Sequence, residues 1–375
     1  MSFVESLLKY DEKTVFSLRE LYGKYGYLQY KMSKFEEYDL YVRNKDFLIS
    51  DHVITFTDTN GKLMALKPDV TLSIIKNSKD LPETVQKVYY DENVYRVSKG
   101  TQSFKEIMQV GLECIGDLDD YCLYEVLMLA AKSLQTISGD CVLDISHLGI
   151  LSSVLDYLAP PAEIRDNILQ CIGEKNVHGL GQLCAQAGIE AAKTEVLKQL
   201  ISLYGKPEKI LPELKQLLAG IVDIAPLEQL NRLINAFDDC TLKQMLRIDF
   251  SVVSDMKYYN GIVFKGFVQG IPNSILSGGQ YDKLMQKMHR GSGAIGFAVY
   301  LDQLERLDTN GEQYDVDAVL LYDRNDDLQA IAQKVSELTA NGTKVLLQRT
   351  VPEKIKYKYL MQWNNGEVNR IENDA

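Results

Sequence analysis

Apolar residues recur at helical spacing near the start of the chain. Phe16, Leu18, Leu21 and Tyr22 fall within residues 3–25, and Gly23 and Gly26 close that stretch. The pattern is less regular from Tyr27 and then alternates. Val53–Phe56 and Lys62–Leu66 predict a hairpin across Asp58-Thr59-Asn60-Gly61, because Asn-Gly readily adopts the left-handed backbone of tight turns. Residues Thr71 to Ile75 predict the opening of a helix. Val85–Arg96 and Ile107–Ile115 read as two antiparallel strands, followed by an apolar-periodic helix over 122–136 and a strand at Val142–Ile145. From Leu148 to about Leu246 the chain is rich in Leu, Ile, Ala, Glu and Lys. It is broken only at Pro160-Pro161, Gly173, Gly179-Leu180-Gly181 and Lys206-Pro207, which predicts an all-helical insert. Strand pattern returns at Arg247–Val253 and Tyr258–Val268. Ser277–Asp282 reads as a turn, Gly296–Val299 leads into a helix over Tyr300–Leu307, and Asp308–Glu312 reads as a linker. Beyond it, Ala318–Tyr322, Leu328–Leu338 and Val345–Leu347 form a β-α-β unit.

Composition narrows the function classes. At 375 residues the chain is longer than one typical domain. A net charge of -11 weighs against nucleic-acid binding, which draws most of its affinity from Lys and Arg on phosphates. No apolar run approaches the roughly 20 residues of a membrane span, and Met1-Ser2-Phe3-Val4-Glu5 lacks the basic-then-apolar layout of a signal peptide. Cys114, Cys122, Cys141, Cys171, Cys184 and Cys240 form no Cys-x-x-Cys pair and read as buried free thiols in the cytosol. His52, His147, His178 and His289 show no metal-ligand spacing. The strip Lys354-Ile355-Lys356-Tyr357-Lys358-Tyr359 fits either an RNA contact or, more simply, a solvated edge strand.

The strand at 107–115 carries the first candidate chemistry. Side chains two apart share a face, so Gln109, Gly111 and Glu113 point the same way. A glutamine and a carboxylate around a bare glycine make a floor that a small polar ligand can approach. The same spacing also fits an exposed sheet face with ordinary polar residues. Asp69, just ahead of the Thr71–Ile75 helix, suits a helix cap as well as a ligand contact.

Ser254-Asp255-Met256-Lys257-Tyr258-Tyr259-Asn260-Gly261-Ile262-Val263-Phe264 resembles the histidine-recognition segment of histidyl-tRNA synthetases, which reads Arg-Gly-Leu-Asp-Tyr-Tyr. Tyr95-Arg96 and Gln109-Val110-Gly111-Leu112-Glu113 resemble motif 2 and its following strand, and Leu66-Lys67-Pro68-Asp69 resembles the Leu-Arg-Pro-Glu of that family. The resemblance implies that Asp69, Gln109, Glu113, Tyr258 and Tyr259 bind histidine, with Asp69 on its ammonium. Two carboxylates around one cation are chemically sound, since a buried ammonium needs charge-assisted partners. Arg96 matches the arginine that contacts the nucleotide α-phosphate. Three expected arginines are replaced, by Ser254, by Gln280 in Gly278-Gly279-Gln280-Tyr281-Asp282, and by Gln303 in the motif 3 stretch Gly296–Gln303. Tyr300 stands where that motif has its second glycine, and Tyr30-Lys31-Met32-Ser33-Lys34 lacks the proline of motif 1. Losing one preorganised charge donor costs roughly 3 to 4 kcal/mol of transition-state stabilisation, so losing several abolishes activation.

A chain that keeps its amino-acid contacts and loses its ATP contacts is similar to the regulatory subunits of ATP phosphoribosyltransferase, paralogues of the synthetases. The resemblance covers roughly Leu7 to Leu307. It implies an α+β fold: a class II synthetase-like antiparallel sheet flanked by helices, with residues 1–147 and 245–308 as core. The helical insert occupies 148–244, and a shortened anticodon-binding-like α/β unit occupies 315–375. It also implies no catalytic residues, no metal or cofactor, a cytoplasmic location, a homodimer, a short-form catalytic subunit as partner and histidine as feedback effector, without tRNA or membrane. The rival readings are a divergent histidyl-tRNA synthetase or related ligase, and a stand-alone histidine or tRNA sensor.

Overall fold

In the computed structural model the described residues are 8–44, 48, 53–79, 83–97, 103–253, 258–307, 314–364 and 366–373. They form two compact units, divided between Leu307 and Asp308.

The first unit is built on strands β1 (Leu28–Gln29), β2 (Phe35–Glu37), β3 (Thr55–Thr57), β4 (Leu63–Leu66), β5 (Val85–Val97), β6 (Phe104–Gly116), β7 (Cys141–His147), β8 (Tyr204–Gly205), β9 (Leu246–Asp249), β10 (Ile262–Val268), β11 (Leu276–Gln280) and β12 (Gly293–Tyr300). Nine of them make one sheet of order β1-β5-β6-β12-β11-β10-β7-β9-β8. Its centre is antiparallel, while β1 runs parallel to β5 and β9 parallel to β7. β2, β4 and β3 form a small separate sheet. The hairpin of β3 and β4 closes as its Asn-Gly predicts: Gly61 has φ +82°, and the Asp58 carboxylate accepts from the amides of Asn60 and Lys62, both at 2.8 Å.

Alternation along β6 sorts the two faces of the large sheet. Val110, Leu112 and Cys114 enter the main apolar core with Phe264 and Phe297. That face is covered by the helices Tyr10–Lys24 and Asp120–Ile137, the second capped by Asp119, whose carboxylate accepts from the Cys122 amide. Burying each large apolar side chain there contributes about 1.5–3 kcal/mol. Leu148–Leu158 and the helices that follow share the same core, through Leu151, Leu200 and Leu230. The opposite face of the sheet carries Gln109, Gly111 and Glu113 and is left for a site.

Several sequence expectations are corrected. Ser277-Gly278-Gly279-Gln280 is not a turn but a strand, β11, paired on both sides. The glycines serve close packing: a Cβ on Gly278 would lie 2.4 Å from Phe297 Cβ, and one on Gly279 would lie 2.8 Å from the Tyr259 ring. Tyr258 and Tyr259 precede β10 rather than lie in it, and Leu301–Leu307 is a 3-10 helix. Cys240 is exposed and Cys141 half-buried, while the other four thiols are buried.

The second unit has β13 (Val316–Leu321), β14 (Val345–Gln348), β15 (Tyr357–Asn364) and β16 (Glu367–Asn373), in the order β14-β13-β15-β16, with the helix Leu328–Ala340. The expected edge strand around Lys354–Tyr359 contributes instead to β15, which is interior, parallel to β13 and antiparallel to β16. Its Tyr357 and Leu360 are buried in one apolar cluster with Val319 and its Trp363 in another with Leu320 and Ile331, a burial that the neighbouring lysines mask in the sequence.

Candidate functional site

A cavity of about 350 Å³ lies on the polar face of the large sheet. Its deep end is built from Glu113. Burial leaves Glu113 only 2% exposed, near the C-terminal end of β6 and opposite Gly296 of β12. Thr71 Oγ1 donates to Glu113 Oε1 at 2.8 Å and Tyr281 Oη donates to Oε2 at 2.6 Å. Gly296 is required there, because a Cβ would stand 1.7 Å from Oε2. Burial, with a smaller contribution from the charge of Asp69, raises the Glu113 pKa to about 8 against the opposing hydrogen bonds of Tyr281 and Thr71.

Asp69 faces the same space from the start of the helix Thr71–Asn77 and is 8% exposed. Its Oδ1 accepts from the Leu72 amide at 3.0 Å, so it caps the helix and lines the cavity at once. Burial raises its pKa too, moderated by that amide and by Arg96. Two desolvated carboxylates on one wall, each held above its usual range, favour a cationic group between them.

Gln109 lies further along the same face of β6, 3% exposed, with a buried Nε2 that has no hydrogen-bond partner among the described residues. Tyr258 and Tyr259 form the aromatic wall, their ring centroids 4.6 Å apart at 62°, and Tyr281 packs beside Tyr258 with centroids 5.7 Å apart at 51°. Arg96 donates from Nε to the Pro68 carbonyl at 3.0 Å and lines the far side with Tyr300. The structure therefore brings Asp69, Gln109, Glu113, Tyr258, Tyr259 and Arg96 to one cavity.

Other expectations change. The floor at Gly111 is not open to a ligand: a Cβ there would meet the Tyr90 hydroxyl at 2.4 Å, so Tyr90 fills that space. Gln280 points away from the cavity. Its Nε2 donates to Asp282 Oδ2 at 2.8 Å, and Asn260 Nδ2 joins the same oxygen at 2.9 Å while the Ala294 amide donates to Oδ1 at 3.0 Å. Gln280 thus stands at the end of β11, bonded to Asp282 and outside the cavity lining. Gln303 sits half-buried on the 3-10 helix, outside the cavity lining. Ser254 and Lys257 lie outside the described residues. Tyr281, Thr71 and Tyr90 were missed in the sequence. Tyr281 was hidden in the supposed turn, and the alternation along β5 that brings Tyr90 opposite Gly111 was the available signal.

The model of the family described as histidyl-tRNA synthetase matches residues 5–304. The chain belongs to that family. It is 28% identical over 304 residues to the ATP phosphoribosyltransferase regulatory subunit of Alkaliphilus metalliredigens, covering 79% of this chain and 76% of that one. Among solved structures it is similar to an ATP phosphoribosyltransferase regulatory subunit/histidyl-tRNA synthetase from Bacillus halodurans C, with TM-score 0.70, 24% identity, and 90% and 88% of the two chains covered. It is also similar to a chain of the ATP phosphoribosyl transferase (HisG:HisZ) complex from Thermotoga maritima, with TM-score 0.63, 20% identity, and 80% and 98% coverage. These likenesses establish the histidyl-tRNA synthetase-like class II fold.

Proposed function

We propose that this chain is a non-catalytic regulatory subunit of ATP phosphoribosyltransferase, required for the first step of histidine biosynthesis and conferring feedback inhibition by histidine. The observation that carries the reading is the pairing of buried Asp69 and Glu113 with the Tyr258–Tyr259 wall in one cavity. The name of the Alkaliphilus relative, across most of both chains, supports it. Histidine occupies the acidic end, its ammonium on Asp69 and Glu113 and its ring against the tyrosines. Arg96 alone makes a poor ATP site, so the amino acid is bound without being activated.

Regulation follows by linkage. Histidine binds one state of the complex better than another, and the catalytic subunit's activity shifts by that difference, typically about 1–3 kcal/mol. The protein works in the cytoplasm as a homodimer joined to short-form catalytic subunits. Residues 315–375 are a shortened anticodon-binding-like unit that no longer serves tRNA, in keeping with the net charge of -11.

Reconstitution tests the reading. Adding the purified chain to a short-form catalytic subunit raises its activity, and histidine lowers the activity of the mixture. Absence of activation overturns the assignment, and histidine-dependent pyrophosphate exchange by the chain alone makes it a synthetase instead.

A further inference from the structure

Consecutive residues at the end of β7 face opposite sides of the large sheet. His147, the last of the strand, pairs in register with Ile262 and is 5% exposed on the helix-covered side. Leu148 lies on the other side, packed with Val252, Val263 and Tyr259 of the aromatic wall. The Leu148 amide donates to the Gly261 carbonyl at 2.9 Å, two residues beyond Tyr259.

A chain of hydrogen bonds leads from His147 into the mostly helical segment between β7 and β9. His147 Nδ1 accepts from the Gly149 amide at 3.0 Å and caps the helix Leu148–Leu158, which leaves the ring proton on Nε2. Nε2 then donates at 3.0 Å to Gln229 Oε1, on the helix Ala225–Asn235. Gln229 Nε2 donates to Asp120 Oδ1 at 3.0 Å, and Arg232 Nε donates to Asp120 Oδ2 at 2.8 Å. Burial lowers the His147 pKa, against the bond with Gln229, and keeps the ring neutral. A cap needs only the Nδ1 side, which asparagine or serine supplies as well. The Nε2 side reaches 82 residues along the chain, to a helix that contributes nothing to the cavity lining.

We propose that His147 is a positioning residue: through Gln229 it ties the helix Ala225–Asn235 to the segment that carries Tyr258 and Tyr259. One rigid ring holds Gln229 at one nitrogen and the Leu148-Gly149 turn at the other, and that turn holds Gly261. A partner that displaces the helix therefore alters affinity in the cavity, and a ligand in the cavity alters the helix by the same free energy. Only the identity of that ligand rests on the histidine reading.

Two variants of the full-length chain cut the tie at different ends. His147→Asn keeps a good cap and loses the bond to Gln229, while Gln229→Met removes both Gln229 bonds at similar volume. Hydrogen exchange without ligand reads the tie: in both variants the amides of Leu148 and of residues 258–264 exchange about five-fold faster or more. Calorimetry with histidine reads the consequence: each variant binds about five-fold more weakly, and the double variant is no weaker than either, because both cut one link. Unchanged exchange at 258–264 in Gln229→Met overturns the proposal, since a purely local role in the helix would stop there. Histidine affinity within about two-fold of wild type in both variants also overturns it, as does a double variant whose loss is the product of the single losses. If wild type does not bind histidine while exchange at 258–264 responds to Gln229→Met, the histidine reading falls and the tie stands.

Discussion

The Tyr281 hydroxyl donates to Glu113 Oε2 at 2.6 Å, from the residue just after β11 to the C-terminal part of β6. This bond orients the carboxylate and opposes the burial that raises its pKa. Tyr281→Phe removes the donor and keeps the ring beside Tyr258. Histidine affinity measured by calorimetry falls by about 1.5–3 kcal/mol, the range for a hydrogen bond to a charged group. Unchanged affinity would take Glu113 out of the ligand site.

The raised pKa of Glu113 makes stability depend on pH. Unfolded, the group titrates near 4.5, and folded near 8. The folded chain therefore holds a proton that the unfolded chain has released, and stability falls as pH rises across that window, by about 1.4 kcal/mol per pH unit. Burial also raises the pKa of Asp144, to about 7, with the charge of Asp249 adding to the shift, so wild type shows both contributions. Denaturant unfolding of Glu113→Gln loses the Glu113 part. A mutant whose pH profile overlays that of wild type refutes the assignment.

Ligand binding should release that proton. Near pH 7 the free Glu113 is protonated, and a cation placed between it and Asp69 favours the carboxylate. Titrating histidine in buffers of different ionisation enthalpy reads the release, expected to approach about one proton per ligand. No dependence of the observed heat on buffer would show that Glu113 does not ionise on binding.

Gly296 offers a steric test. A Cβ there would stand 1.7 Å from Glu113 Oε2 and 2.5 Å from the Leu112 carbonyl, so the carboxylate must move. Gly296→Ala destabilises the chain by about 1–3 kcal/mol as an overpacked site. It also weakens histidine binding about ten-fold or more, whereas Gly291→Ala, where a Cβ meets no atom within 4 Å, is neutral in both thermal unfolding and titration.

Local signals carried much of the fold. Asn60-Gly61 fixed the turn between β3 and β4, and the alternation around Gln109 and Glu113 fixed their shared face. Signals that depend on a neighbour were not legible. The glycines of β11 looked like a turn because the side chains of Phe297, Phe264 and Tyr259, which need the space, come from other segments. β15 looked like an edge because its lysines are visible in sequence and its strand partners are not. For the site, spacing alone left Asp69 divided between cap and ligand contact, and its position serves both. Gln280 could be placed against a family motif, but only the sheet register shows that it faces away from the cavity.

The Asp282 carboxylate takes hydrogen bonds from Asn260, Gln280 and Ala294, and these belong to the turn after the tyrosine pair, the end of β11 and the start of β12. The aromatic wall and the glycine under Glu113 therefore share one anchor. Tyr258 cannot shift far without straining the bonds that hold β12, so the shape of the acidic end is set when the chain folds. The cost of ordering that end is met in folding and not in binding, and a small ligand gains affinity without having to close anything around itself.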